Sequence, residues 1–353
     1  MNHIKGLRSI LGNISADALL LTSPISQRYA VDYAFSDGFV LITADKAFLV
    51  TDFRYKEEAE RSVDSEIQVV SPSSNREFIF DMLRDNLVKS LGIEDRAMTL
   101  HEYDSTVASR GIKTVRIGEE IEKLRAIKDE EEIKRIRAAQ AITDAAYDHI
   151  LSIMTPTMTE IEVALELEFF MRRHGADSVA FQTIAVSGPG SALPHGTPIN
   201  TKLRRGFLTM DFGASLNGYA SDMTRTVVIG TATPEMKLLY RTVWEAQELG
   251  MQAICAGVSG ALVDGAARAH IEGRGYKGLF GHSFGHGVGL EIHEKPRLSP
   301  RNSLSLSAGN IVTAEPGIYC EGLYGCRIEN MGLVTESGFE NFTKSQKNLI
   351  ELF

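Results

Sequence analysis

Cysteine is scarce. The 353 residues hold three, Cys255, Cys320 and Cys326, too few and of the wrong parity for a disulfide scaffold. A reducing, cytoplasmic setting with ordinary free thiols is the expectation, although Cys320 and Cys326 bracket a glycine-containing turn across which they could meet. No apolar run reaches the roughly 18 residues of a membrane span. Asn13, Ser15 and Asp17 interrupt the apolar core that a secretion signal would need, so no membrane partner is expected. Basic residues are also in deficit, 37 against 46 acidic for a net charge of −9, which leaves no electrostatic footprint for nucleic acid. Nucleotide loops are missing too: there is no Walker A sequence, and the third glycine of a G-x-G-x-x-G run from Gly285 falls on Leu290. With 43% hydrophobic and 24% charged residues and no low-complexity stretch, the chain is expected to fold throughout.

At this length two domains are expected. Ile4, Leu7, Leu11 and Ile14 have the spacing of an amphipathic helix. β-like runs follow at Ala18–Leu21, Gly38–Thr43 and Ala47–Thr51, with a helix over Arg54–Arg61. After Ser71–Ser74, a helical stretch from Arg76 to Val88 leads into Leu91–Ile93 and Ala97–Leu100, giving a small α/β domain poor in candidate catalytic clusters. We place the boundary ahead of the long helix starting near Asp129, dividing 1–121 from 122–353. Ile136, Ala139, Ala146, Ile150 and Ile153 form that helix's apolar face. Thr159 and Glu162 make a capping box for a helix over Glu160–Arg173, Thr233-Pro234 starts another running towards Gly257, and a fourth begins near Ser259. β-like runs at Ala180–Val186, Phe207–Asp211, Thr224–Ile229, Ile311–Glu315 and Arg327–Val334, joined by hairpin-sized links, make the second domain α+β.

Four clusters carry chemistry. If Phe207–Asp211 and Thr224–Ile229 fold back as a hairpin, Asp211 and Asp222 stand opposite or diagonal on one face. Two converging carboxylates need a cation, though turn-capping aspartates are the bland alternative. From Gly281 to Glu294 the chain places His282, His286 and His293 among glycines that admit a ligand close to the backbone. Glu315, in Thr313-Ala314-Glu315-Pro316-Gly317, and Glu329, beside Arg327, put carboxylates among β-forming residues, where an unpaired charge is costly. Taken singly, a strand end and a surface ion pair would explain them, and His195 in Leu193-Pro194-His195-Gly196 is equally ambiguous.

Together these residues give the chain, from about Arg125 onward, a resemblance to the pita-bread peptidase family of prolidase, aminopeptidase P, methionine aminopeptidase and creatinase. The N-terminal region resembles the accessory domain of the proline-specific branch. The match rests on Asp211, Asp222, His286, Glu315 and Glu329 in order, with His195 and His293. The resemblance implies that Asp222 and Glu329 bridge two divalent metal ions, that Asp211 completes one ion and that His286 with Glu315 completes the other. An oxygen-rich donor set with one imidazole suits Mn²⁺ or Co²⁺, with Zn²⁺ and Fe²⁺ as alternatives. Such ions supply an activated water and a polarised scissile carbonyl. By the same resemblance Glu315 shuttles a proton, His195 and His293 hydrogen-bond substrate or tetrahedral intermediate, and His282 and Arg327 stand behind the site or in a proline pocket. Arg297 resembles an arginine that binds a dipeptide's carboxylate. Asn330, where aspartate is frequent, and Gly190, where asparagine is frequent, depart from the pattern. His3, His101, His149, His174 and His270 have no motif context and read as structural or surface groups.

The implied activity is hydrolysis of peptides with proline in second position, by a homodimer whose N-terminal domain helps wall the active site. A non-peptidase hydrolase or a non-catalytic binding protein on the same scaffold are the alternatives, and both generally lack the full ligand set.

Overall fold

The computed structural model describes residues 2–72, 75–108 and 111–353, excluding the side chains of 75–77, so part of the Ser71–Ser74 link lies outside the described residues. The chain divides into two compact units, Met1–Arg125 and Ala126–Phe353.

In the first unit, runs of aliphatic residues bury the four inner strands of a six-stranded mixed sheet. Its order is Ile67–Val70, Ala47–Val50, Phe39–Thr43, Ala18–Leu21, Ser90–Ile93, Lys113–Arg116. The N-terminal helix Ile4–Ile14 buries Ile4, Leu7, Ile10 and Leu11, as its spacing requires. Ala97–Leu100 forms no strand. Thr99 caps a helix, Leu100–Thr106, through a capping box with Glu102 that the sequence reading overlooked.

The second unit is built twice over. The long helix Glu130–Ile153 is capped by Asp129 and followed, after a turn, by Glu160–Arg173, capped by Thr159. Roughly 100 residues later Pro234–Ala253 is followed by Gly260–Gly273, capped by Ser259. Isolated bridges tie Thr159 to Lys202 and Ser259 to Ser305 in the same sense. Each helix pair covers a sheet. The first has the order Glu351–Leu352, Met223–Ile229, Gly206–Phe212, Ile184–Ser187; the second Glu294–Leu298, Gly285–Gly287, Ile311–Ala314, Asn330–Thr335, Gly338–Asn341. In each half one acidic residue closes a central strand or directly follows it, Asp211 or Glu315. A second one directly precedes the antiparallel neighbour of that strand, Asp222 or Glu329.

The long helix buries Ile136, Ala139, Ala146 and Ile150 as expected, whereas Ile153, its last residue, is exposed because the helix stops there and the chain turns away. The helix expected to run towards Gly257 stops at Ala253. Ala180–Val186 is a strand only from Ile184, the preceding residues forming a loop. Arg327–Val334 is two strands, not one, since Ile328 and Glu329 leave the ladder: their N–H groups donate to Pro316 O at 3.4 Å and Thr224 O at 3.0 Å, the latter crossing to the other sheet. That crossing creates the site.

Candidate metal centre

The antiparallel register sets Asp211 opposite Thr224, so Asp222 lies two residues along the partner strand, diagonal to Asp211. The link between the strands is a small hairpin turning at Asn217-Gly218, both with left-handed φ (50° and 80°). Glu315 directly follows Ile311–Ala314 and is held by its N–H to Phe284 O at 2.8 Å. Glu329, in the break between strands, receives Thr224 Oγ1 on Oε2 at 2.8 Å. His286 occupies the centre of Gly285–Gly287. Four acidic groups and an imidazole from both halves therefore converge, and ligand atoms of Asp222, His286 and Glu329 lie within 4.8 Å of one another.

Such crowding perturbs Asp222, Glu315, Glu329 and His286. Burial, then Glu329, Asp211 and Glu315, push the Asp222 carboxyl well above the usual carboxylate range. Burial and Glu329 do the same to Glu315, while Glu329 is pushed up to about 8 by burial and Asp211. His286 moves the opposite way, down to about 3, through burial and the neighbouring His293. Its Nδ1–H donates to Gly287 O at 3.1 Å, which leaves the Nε2 lone pair facing Glu315 Oε1 at 3.4 Å and Asp222 Oδ2 at 3.6 Å. Ionised carboxylates would there face a lone pair, an arrangement that a proton or a cation between them relieves. Asp211 Oδ1 and Glu329 Oε1 point to the same need: both are buried without a hydrogen-bond partner, the only carboxylate oxygens so left among the described residues. Hard oxygen donors plus one neutral imidazole fit divalent ions well.

These five residues line a cavity of about 410 Å³, and so do the other candidates, His195, His282, His293, Arg297 and Arg327. Arg327 is buried and forked: Nη2 binds Asp211, Nε donates to Thr224 Oγ1 at 3.0 Å, and Nη1 donates to Pro194 O at 3.2 Å and Tyr319 Oη at 2.8 Å. His282 bonds Tyr319 Oη through Nε2 at 2.9 Å, its pKa driven down to about 4 by burial and Arg327. Arg297 stands opposite His286 in the adjoining strand. His195 and His293 are exposed in the cavity, where burial and Arg297 lower the His293 pKa.

Sequence reasoning assigned no role to Tyr319, whose hydroxyl ties His282 to Arg327, or to Thr224, which backs both Glu329 and Arg327. Thr224 could have been found, since it shares a strand face with Asp222. Phe181 and Ile292 add an apolar wall. Of the histidines without motif context, His149 and His270 pair with Glu166 and Glu245, and none of the five lines the cavity. Asn330 accepts from Arg225 Nη2 at 2.9 Å, and Gly190 sits in a 3₁₀ turn, Gly188–Ala192.

Residues 134–336 match the family model of metallopeptidase family M24, and residues 3–127 match the creatinase/prolidase N-terminal domain. A solved Xaa-Pro dipeptidase from Bacillus anthracis is 41% identical, covers 99% of both chains and superposes with a TM-score of 0.95. An X-Pro aminopeptidase structure from Thermotoga maritima is 35% identical, covering 99% of this chain and 100% of its own, with a TM-score of 0.92. In sequence, an Xaa-Pro dipeptidase of Pyrococcus furiosus is 36% identical over 99% of each chain. The expected α+β pita-bread architecture is borne out.

Proposed function

The chain belongs to metallopeptidase family M24, and from that premise we propose that it hydrolyses Xaa-Pro peptide bonds with two divalent ions held by Asp211, Asp222, His286, Glu315 and Glu329. The observation that carries this reading is the His286 lone pair aimed at two carboxylates beside two orphaned carboxylate oxygens, a donor set complete only with cations. Asp222 and Glu329 would be shared by the ions, Asp211 would complete the ligands of one, and His286 with Glu315 those of the other. Mn²⁺ or Co²⁺ suits these donors best, ahead of Zn²⁺ or Fe²⁺. When bound, the ions supply a water activated at neutral pH and a polarised carbonyl.

The protein's own groups do the rest. Glu315 takes the proton of the attacking water and returns it to the leaving proline nitrogen. His195 and His293, exposed in the cavity, supply N–H donors to the oxygen on which charge develops. Arg327 holds Asp211 and, through Tyr319, His282, while Phe181 and Ile292 offer a dry surface to an apolar side chain or a proline ring. Arg297 favours dipeptides, because a guanidinium in this cavity suits a free carboxylate.

The 1–121 and 122–353 division stands within this proposal, supported by the two compact units and the two family matches. No helix among the described residues is long and apolar enough to cross a membrane. Three free thiols support a cytoplasmic setting, and the family resemblance supports a homodimer.

The test is proline release from Ala-Pro and Ala-Pro-Ala by metal-stripped protein before and after Mn²⁺ or Co²⁺. Metal-dependent cleavage of the dipeptide alone makes it a prolidase; cleavage of the tripeptide makes it an aminopeptidase. No cleavage of either with any metal would turn the assignment towards a binding protein. In the same assay His293→Ala is expected to lower kcat about 100-fold, with metal content close to that of the native chain. Loss of the metals in that variant would mean His293 has been given the wrong role.

A further inference from the structure

We propose that Lys128 and Glu294, outside the metal site and lining no part of its cavity, are positioning residues that fix the loop carrying His293; this rests on the Xaa-Pro hydrolase reading. Lys128 Nζ lies 3.0 Å from Glu294 Oε2, 166 residues away in sequence, and the two side chains are 1% and 5% exposed. A pair so dry is a poor stabiliser, because apolar residues of similar volume commonly hold a fold as well or better. What apolar residues could not do is divide a carboxylate between two tasks. Oε2 receives the lysine, and Oε1 accepts the N–H of Glu291 at 3.0 Å. Both oxygens lie within 2.8 Å of where a Cβ on Gly289 would stand, so the carboxylate fills the inside of the loop and a larger residue there would push it off its partners.

The loop is then fastened at several points. Gly289 N–H closes onto Glu291 O at 3.0 Å, and Ala220 N–H binds Gly289 O at 2.8 Å, two residues before Asp222. Lys128 is itself anchored, its N–H on Gly309 O at 2.9 Å immediately ahead of the cap of the long helix. Between these fixed ends the Gly287 carbonyl accepts from the His286 ring, and the His293 ring meets it edge-on with centroids 4.3 Å apart. His293 is exposed and adjoins Glu294 in sequence, so the backbone that the ion pair holds sets where its ring goes.

The experiment replaces the pair with an apolar one, Lys128→Met with Glu294→Leu, in the native chain and in His293→Ala. Measured are kcat and KM on Ala-Pro with Mn²⁺, bound metal and Tm. Expected is a Tm near native, kcat lower by about 30-fold with KM nearly unchanged, and little further loss in the His293→Ala background. An equal loss in both backgrounds, or none in either, would overturn the proposal. Should the apolar pair fail to fold, Glu294→Gln is read through the same cycle, with the same outcomes deciding. The native chain's own turnover separates the two failures: without it the hydrolase reading falls and takes this role with it, whereas with it an additive cycle removes the role of the pair alone.

Discussion

Glu329→Gln is expected to lower kcat on an Xaa-Pro substrate by at least about 1,000-fold and to reduce bound metal, measured by atomic absorption on dialysed protein. The side chain is 1% exposed, Thr224 Oγ1 already occupies one oxygen, and the other is orphaned, so in the proposed site a cation is the partner of the ionised form. An amide keeps the shape but presents a neutral oxygen and an N–H₂ where two electron-pair donors are needed. Folding should survive, because Glu329 stays fixed through its backbone: its N–H reaches Thr224 O at 3.0 Å and its carbonyl accepts from Arg225 Nη1. Asp222→Asn should behave alike. Native turnover in either variant would end the two-ion assignment.

The second large effect concerns the metal-free protein, whose stability should fall as pH rises from 6.5 to 8. Glu329, pushed up to about 8 from 4.5, holds a proton in the folded state that the unfolded chain has released. That stabilisation is complete below pH 4.5 and lost as pH climbs through 8. Asp222 and Glu315, displaced upward too, act in the same direction. His286 acts oppositely: pushed down to about 3 from 6.5, it stabilises fully above pH 6.5 and ceases to as pH drops towards 3. Above 6.5 the imidazole no longer contributes to the slope, leaving the carboxylates to act alone, on the order of 2 kcal/mol for Glu329 over this window. Denaturant midpoints across it should therefore decline for stripped protein and stay nearly level with saturating Mn²⁺, which takes the place of the protons. A level or rising profile for stripped protein would mean that these groups are already ionised without metal.

The sequence made the core of the site legible because its placement is local. Asp211 and Asp222 flank one hairpin, so period-two geometry alone puts them on one face, and the glycines around His286 announce a tightly approached backbone. A capping box located the helix start at Thr159, and apolar periodicity the one near Asp129, without help from tertiary structure. What stayed hidden depends on distant pairing. The break at Glu329 exists because Thr224, 105 residues earlier, takes its N–H, so Arg327–Val334 reads as one continuous strand. Tyr319 had a β-former's place in the sequence, and only the fold brings His282 and Arg327 to its hydroxyl. Lys128 carries no local signal, because its partner lies 166 residues away.

The doubled construction of the second unit makes the proposed metal pair a seam. Each half brings two of the four acidic groups and neither brings enough, while the covalent link between them is the short Gly230–Thr233 segment. A chain nicked there would become two fragments that share the C-terminal strand Glu351–Leu352, laid parallel to Met223–Ile229 of the other half. Their reassociation would respond to divalent ions, with manganese as a reversible crosslink, and regained hydrolysis would report that the fragments had met.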